Sequence, residues 1–491
     1  MNARLVCGID SSTQSTKVEV RALADGTLIA TGRAIHPPTN PPVSEQDPRA
    51  WWDALRTAFA HVAEHLGEVG AVAVAGQQHG LVVVDAEGQP LRDAKLWNDT
   101  TSAPQATALT ERLGAQAWAQ ACGLVPVASF TVSKLAWLAE HEPDNLARVD
   151  RVMLPHDYLT WRLCGEHVTD RGDASGTGWW SPRRDRYDTE LLGTAVSDAD
   201  SWLPRLPRVL APDEPAGVVG SEVAEQLGLP AGVLVAPGTG DNMAAALGLG
   251  LQPGDVVVSL GTSGTVYTRS HSPTADASGL VAGFADATGC YLPLVCTLNA
   301  TKVTDTVGRL LGIDSHRVAS LALQPSARAV PVLVPYLDGE RSPNLPAATG
   351  LLTGLRTDTT PADLSRAAHM GVLCGLLEGG DALARAGVAT SGRWLLIGGG
   401  ARSPAYQQLA ADLVEGAVVV PHAEETVATG ACVQAATVVT GQALDEVTAT
   451  WGLGAGTVVE PSGHVDATRQ RAAYRVAAAA AADLATRPGG E

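Results

Sequence analysis

An α/β chain of two similar halves is the fold class this sequence predicts, and three observations predict it. The first is length: 491 residues exceed what one hydrophobic core serves and call for two domains, or three. The second is a pair of matching stretches, "CGIDSSTQST" (7–16) and "VVSLGTSGTVYT" (257–268). Each is a strand, a turn rich in Ser and Thr, and a second strand, about half the chain apart. The third is a change of texture near residue 232, where glycine loops and small residues take over. Two halves that each begin with such a hairpin point to an internal duplication with a cleft between the domains. A linker at Gly248–Gly254 divides them into 1–247 and 248–491.

Along the first half, residues 4–10 and 17–23 read as a β-hairpin around the opening turn. Asp47-Pro48 offers a helix start, with Asp as N-cap and Pro at the first helical position. Trp51, Leu55, Phe59, Val62 and Leu66 then fall on one face. "VGAVAVAGQQHGLVVVD" is two apolar strands broken by "GQQHG", and "AKLWNDTT" is a short strand and loop. Helical patterns fill roughly 102–164. From 232, "GVLVAPGTGDNMAAALGLGLQPGDVVVSLGTSGTVYTRS" reads strand, glycine loop, small-residue helix, linker and hairpin. "RWLLIGGGARSPAYQQLAADLV" is a buried strand, a glycine turn and a helix, and the alanine-rich tail 471–485 is a helix.

Composition narrows the classes of function. The formal net charge is -18, which argues against nucleic acid or an anionic membrane as partner. The start "MNARLVCGID" has no apolar signal-peptide core, and no run of about 18 apolar residues is present to span a bilayer. Seven scattered cysteines without a CxxC read as reduced thiols of a cytoplasmic protein. The four lysines, Lys17, Lys95, Lys134 and Lys302, never follow glycine, so a P-loop is absent, and no GxGxxG occurs. His61 and His65 lie four apart without the glutamate of a zinc-protease motif and read as a solvated helix face. The residues do not fix the assembly; a homodimer is one allowed arrangement.

Both hydroxyl-rich turns suit a phosphate chain, through backbone N–H groups, short hydroxyls and glycine. Ser12 and Thr13 in the first turn and Gly261, Thr262 and Ser263 in the second are the candidates. Asp10 suits Mg²⁺, held directly or through water, and Lys17 can reach a terminal phosphate. A polar β-turn with a surface lysine accounts for the same residues. Asp241 in "GTGDNMAAALG" can accept a proton from a substrate hydroxyl attacking phosphorus, or can simply cap a helix. Gln78 and His79 of "GQQHG" can bind sugar hydroxyls or serve structure. The glycines of "LLIGGGA" let a flat adenine approach backbone, or make a tight strand-to-helix turn.

Taken in order, these stretches resemble the FGGY carbohydrate kinases. The resemblance runs from about residue 5 to about 440 and rests on "GIDSSTQSTK", "EQDPRAWW", "GQQHGLVVVD", "LWND", "LPHDYLTWRLCGE", "GTGDNMAAALG", "SLGTSG", "YLDGERSP" and "GGGARSPAYQQLAADL". It implies the duplicated actin-like ATPase (ribonuclease H-like) fold, with ATP and Mg²⁺ bound. It implies Asp241 as general base and Asp10 as the acid that organises Mg²⁺. Gln78, His79, Asp241 and Asn242 match sugar-contacting positions. Ser12, Thr13 and Lys17 lie in the first phosphate turn, and Gly261, Thr262 and Ser263 match the second. Gly399, Gly400 and Arg402 lie in the stretch bordering adenosine. The first domain would bind sugar and the second nucleotide.

"GQQHGLV" and "LWND" are most similar to members acting on D-xylulose, so phosphorylation of that ketopentose to D-xylulose 5-phosphate is expected. Gln78 stands where methionine is usual, Thr100-Thr101 where Gly-Arg is frequent, and "RSPNLPAATG" lacks an aspartate often seen there. Position 101 is given no role. The alternatives are kinases of ribulose, gluconate or glycerol, or an actin- or Hsp70-type ATPase. Glycerol kinases usually carry Arg-Glu in place of Gln78-His79.

Overall fold

The computed structural model describes residues 3–324, 330–423 and 425–487. The chain forms two compact units. The first holds Met1–Leu251, His271–Leu292 and Ala423–Gly454; the second holds the remainder. The first crossing therefore falls between Leu251 and Gln252, but two later segments return to the first unit.

In the first unit the strands Leu28–Ile35, Ser15–Ala22, Leu5–Ser11, Val69–Gly76 and Leu234–Val235 lie side by side in that order. The first three are antiparallel neighbours, and the last two continue parallel to Leu5–Ser11. Gly217–Val218 adds an antiparallel edge. The second unit repeats the pattern with Tyr291–Thr297, Gly264–Thr268, Val256–Leu260, Trp394–Ile397 and Val418–Pro421. Gly456–Val459 supplies its antiparallel edge. The two similar hairpin stretches of the sequence thus occupy the same positions in two sheets of the same strand order.

Local chemistry accounts for these elements. Val69–Gly76 is apolar at nearly every position because it is a central strand covered on both faces. The helix Pro48–Ala60 begins where Asp47 accepts a hydrogen bond from the Arg49 N–H, and it buries Trp51, Leu55 and Phe59 in the core with Ile9, Val18 and Val72. It stops at Ala60; Val62 and Leu66 stay buried from a following 3-10 turn, Ala63–Glu68. The segment 102–164 holds the expected helices plus one short strand, Arg151–Met153. The alanine-rich tail is the helix Ala467–Thr486.

The helix Thr426–Thr440 is apolar all round because it is enclosed within the first unit. It packs backbone to backbone on Asp241–Gly248. A Cβ on Gly430 would lie 1.9 Å from the Ala244 carbonyl, and one on Gly248 would lie 2.0 Å from that of Thr426. Only glycine fits at either crossing point. All seven cysteines are free thiols. Among the described residues, no single helix is long and apolar enough to cross a membrane.

Candidate active site

Asp10 ends the parallel strand Leu5–Ser11 opposite Ala75, and Thr239–Gly240 pairs with Ala75–Gly76 on the other side. Three adjacent strands therefore deliver Asp10, Gln78–His79 and Asp241 past one carboxyl edge. That is where open α/β sheets bind ligands, because the chain turns away there and leaves a crevice.

Asp10 is buried and pairs across the hairpin with Lys17. Desolvation raises its pKa, and Lys17, with Nζ 3.5 Å from Oδ2, offsets part of that. Lys17 also reaches Glu425 at 2.6 Å. The Ser12 hydroxyl donates to Asp10, and that of Thr13 donates to Gln77 Oε1 at 3.0 Å. Trp97 of "LWND" donates to Thr13 Oγ1 at 2.9 Å. Both hydroxyl protons expected to face phosphate are thus spent inside the protein.

His79 has φ of +67°, a left-handed conformation uncommon for a residue with a Cβ. Several contacts hold it there. Thr131 Oγ1 donates to its carbonyl at 3.2 Å, Phe284 stacks on the ring at 5.4 Å, and Phe130 meets it edge-on at 5.1 Å. A Cβ at Gly176 would lie 2.3 Å from His79 Nδ1. A non-glycine residue kept in this region by such surroundings marks a site where geometry matters.

Asp241 is not the cap of its helix. Gly240 is the N-cap, and Asp241 is the first helical residue. Its Oδ1 accepts from the Asn242 N–H and from Asn242 Nδ2, both at 2.8 Å. Asn242 Nδ2 also donates to Gln78 Oε1 at 2.8 Å. One amide thus ties the expected base to the expected sugar loop. Desolvation, then the charges of Asp10 and Asp173, push the Asp241 pKa up to about 7. A carboxyl poised there is suited to accept a proton at neutral pH.

In the second unit, Gly261–Ser263 joins Val256–Leu260 to Gly264–Thr268, with the Gly261 N–H on the Ser263 carbonyl at 3.0 Å. The turn Gly399–Arg402 follows Trp394–Ile397, which runs parallel to Val256–Leu260. The two turns are neighbours: a Cβ on Gly400 would lie 2.7 Å from Leu260 Cβ and 2.8 Å from Thr301 Cγ2. Gly399 has open space and Arg402 is exposed. Glu340 of "YLDGERSP" is buried and accepts from the Leu298 N–H at 2.5 Å and from Asn299 Nδ2 at 3.0 Å, which fixes the approach to the helix Thr301–Leu311.

Sequence reasoning missed four buried ionisable residues beside the site: His156, Asp157, Asp170 and Asp173. The signal was the pair His156-Asp157 set in the apolar run "VMLPHDYL", where charged residues are uncommon unless paired. Asp173 bears directly on Asp241 through its charge.

The N-terminal domain of the FGGY family of carbohydrate kinases matches residues 5–248, and the C-terminal domain matches 256–439. The chain is 50% identical to the xylulose kinase of Streptomyces coelicolor over 470 residues, 95% of each chain. It is 50% identical to that of Streptomyces rubiginosus, over 93% of this chain and 92% of the relative. The crystal structure of xylulose kinase from Bifidobacterium adolescentis superposes with a TM-score of 0.86 at 39% identity, over 97% of this chain and 99% of that one.

Proposed function

This chain belongs to the FGGY family of carbohydrate kinases, and we propose that it uses ATP to convert D-xylulose to D-xylulose 5-phosphate, with Asp241 as the general base. The acceptor is supported by 50% identity to xylulose kinases across nearly the whole length. The observation that carries the mechanism is the meeting of Asp10, His79, Asn242 and Asp241 at the ends of adjacent strands.

His79, Gln78 and Asn242 bind and orient the sugar hydroxyls. Asp241 accepts the proton of the terminal hydroxyl as its oxygen attacks the γ-phosphorus of ATP and the bond to the ADP oxygen breaks. The transition state is loose, so little prior deprotonation is required, and positioning supplies much of the rate. Gly261–Ser263, Gly399, Gly400 and Arg402 of the second unit take the nucleotide, the glycines letting backbone approach it.

Asp10 fits Mg²⁺. It is a single buried carboxylate, and among the described residues no group of three or more His, Cys, Asp or Glu could hold a metal. Mg²⁺ commonly binds through one or two carboxylates together with waters and phosphate oxygens. When bound, it supplies charge neutralisation at the phosphates. A cytoplasmic location fits the seven free thiols.

A coupled ADP-release assay tests the acceptor, comparing D-xylulose, L-xylulose, D-ribulose, L-ribulose, gluconate and glycerol with a control lacking sugar. D-xylulose should give the highest kcat/KM. A higher value for another acceptor overturns the substrate, and equal ADP release without sugar overturns kinase chemistry. Asp241→Asn should lower kcat by about 10²–10⁴-fold while sugar and nucleotide still bind, the range for removing a general base.

A further inference from the structure

Behind the sugar-facing loop, the buried group found beside the site has no part in the chemical step. His156 Nδ1 lies 2.8 Å from Asp173 Oδ2, while Nε2 lies 3.2 Å from Asp157 Oδ1 and 3.9 Å from Asp170 Oδ1. Desolvation opposes a charge on this imidazole, but Asp157 and Asp173 outweigh it and raise its pKa to about 9. One imidazolium therefore sits among three acids whose own pKa values burial raises.

Two of these acids have further partners in the backbone around the site. Asp157 accepts from the Leu154 N–H at 2.7 Å. Asp170 accepts from Thr239 Oγ1 at 2.7 Å and from the N–H groups of Gly172 at 2.8 Å and Asp173 at 2.9 Å. The His79 backbone and the Gln78 side chain act on Asp173, lowering its pKa against burial, and the Gly176 N–H that donates to the Asp173 carbonyl at 2.9 Å belongs to the residue packed on the His79 ring.

The imidazole also fills the space between two strand ends. A Cβ on Gly76 would lie 2.9 Å from His156 Cβ, and one on Gly238 would lie 2.8 Å from His156 Cδ2. Gly76 leads into Gln77, Gln78 and His79, and Gly238 leads through Thr239 and Gly240 to Asp241. One ring is thus packed against both segments that carry the reacting and sugar-binding groups.

We propose that Asp173, held by His156, and Asp170, acting through Thr239, are positioning residues that lock the Gln78–His79 loop and Asp241 into one rigid constellation. The inference rests on reading Asp241 as the base. It adds that the base and the sugar loop are aligned by a buried charge cluster rather than by their own strands alone. A misplacement of about 1 Å can cost a hundredfold in rate, so a device of this kind has a measurable effect.

The test is steady-state kinetics of the full chain with MgATP and whichever sugar the parent turns over best. Asp173→Asn keeps the shape and removes the charge. Because breaking a buried pair can prevent folding, Thr239→Val, which loses only the hydroxyl donated to Asp170, carries the same test independently. In each variant kcat/KM for the sugar should fall at least fivefold, with KM for ATP and sugar-independent ATP hydrolysis within twofold of the parent. A fall below fivefold in both variants overturns the proposal, as does a KM for ATP that rises in step with that for sugar, which is the mark of general loosening.

Asp241→Asn, measured in parallel, separates this inference from the reading beneath it. If Asp241→Asn is inactive and the two variants behave like the parent, the positioning role alone fails. If Asp241→Asn retains activity, the base fails, and with it the part of the inference concerning Asp241. The sugar KM of Asp173→Asn then judges the part concerning His79.

Discussion

The hairpin turns of the two units hold the same place in the same strand order, yet one is charged and the other is not. In the first, the last ladder pair is Ser11 with Thr16, and the pair before it is the buried Asp10 with Lys17. In the second, the last pair is Leu260 with Gly264, and the pair before it is Ser259 with Thr265. The strands that follow differ in the same sense: one runs into Gln77, Gln78 and His79, the other into Gly398, Gly399 and Gly400. A duplicated framework has thus put charge and hydrogen-bonding side chains at one carboxyl edge and bare backbone at the other. In the proposed mechanism, charge serves where a proton and a metal are handled, and backbone serves where a phosphate chain and a flat base lie close.

The sharpest way to break this comparison is to make equivalent changes in the two turns. Asp10→Asn removes the carboxylate proposed to hold Mg²⁺, and kcat should fall by about 10²–10³-fold, as for loss of a group stabilising charge in the transition state. Ser259→Ala, at the matching register position, should leave kcat within about threefold, since a neutral side chain there has no charge to lose. Steady-state rates at saturating MgATP and sugar decide between them. Similar losses in both variants would mean that the two turns do not divide the work.

The glycines give a second, smaller contrast. A Cβ on Gly240 would lie 2.6 Å from Gln78 Cγ, and one on Gly400 would lie 2.7 Å from Leu260 Cβ. Overpacking of this kind costs about 1–3 kcal/mol, which is roughly 5- to 150-fold in an equilibrium constant. Gly240→Ala should therefore raise KM for the sugar about tenfold and leave KM for ATP alone, and Gly400→Ala should do the reverse. Gln78 is a flexible side chain and can retreat, whereas Leu260 is buried in the sheet, so the nucleotide effect should be the larger. If either variant moves both constants equally, the assignment of sugar to one unit and nucleotide to the other fails.

Much of this division was legible in the residues. The hairpin 5–11/15–22 showed because a polar turn interrupts two apolar runs, and the helix at Pro48 showed because Asp47-Pro48 is a start signal with a mechanism. Asp241 stood out between glycines and a helix of small residues, but its step from cap to first helical residue depends on one backbone angle that spacing does not encode. The return of Ala423–Gly454 to the first unit was not legible, because it rests on the fit of Gly430 and Gly248 across two helices far apart in sequence. His156, Asp157, Asp170 and Asp173 escaped for a related reason. The pair 156–157 and the pair 170–173 lie on different elements, and only the fold brings them together.

The smallest expected effect concerns how a charged edge bears on stability. Asp241 has a folded pKa of about 7 against an ordinary carboxyl value of 3.8, with desolvation as the first cause. A carboxyl raised in this way binds its proton more tightly folded than unfolded, so its contribution to stability is present at low pH and is lost as pH rises from about 4 towards 7. At pH 8 the folded protein carries the cost of a buried charge, and Asp241→Asn, which carries none, should be more stable than the parent by about 1 kcal/mol, a value reduced for the part of the side chain that solvent reaches. At pH 5 the advantage should shrink to about a third, because the folded parent is then protonated at this position while its unfolded chain is still largely ionised. The same titration should appear in kcat/KM for the sugar, which reports the free enzyme and should rise with pH through about 7 as the base loses its proton. Thermal melts at the two pH values check the first statement and initial rates check the second. An Asn variant no more stable at pH 8 than at pH 5, relative to the parent, would show that Asp241 is ionised at little cost, and the electrostatic contrast between the two carboxyl edges would then rest on Asp10 alone.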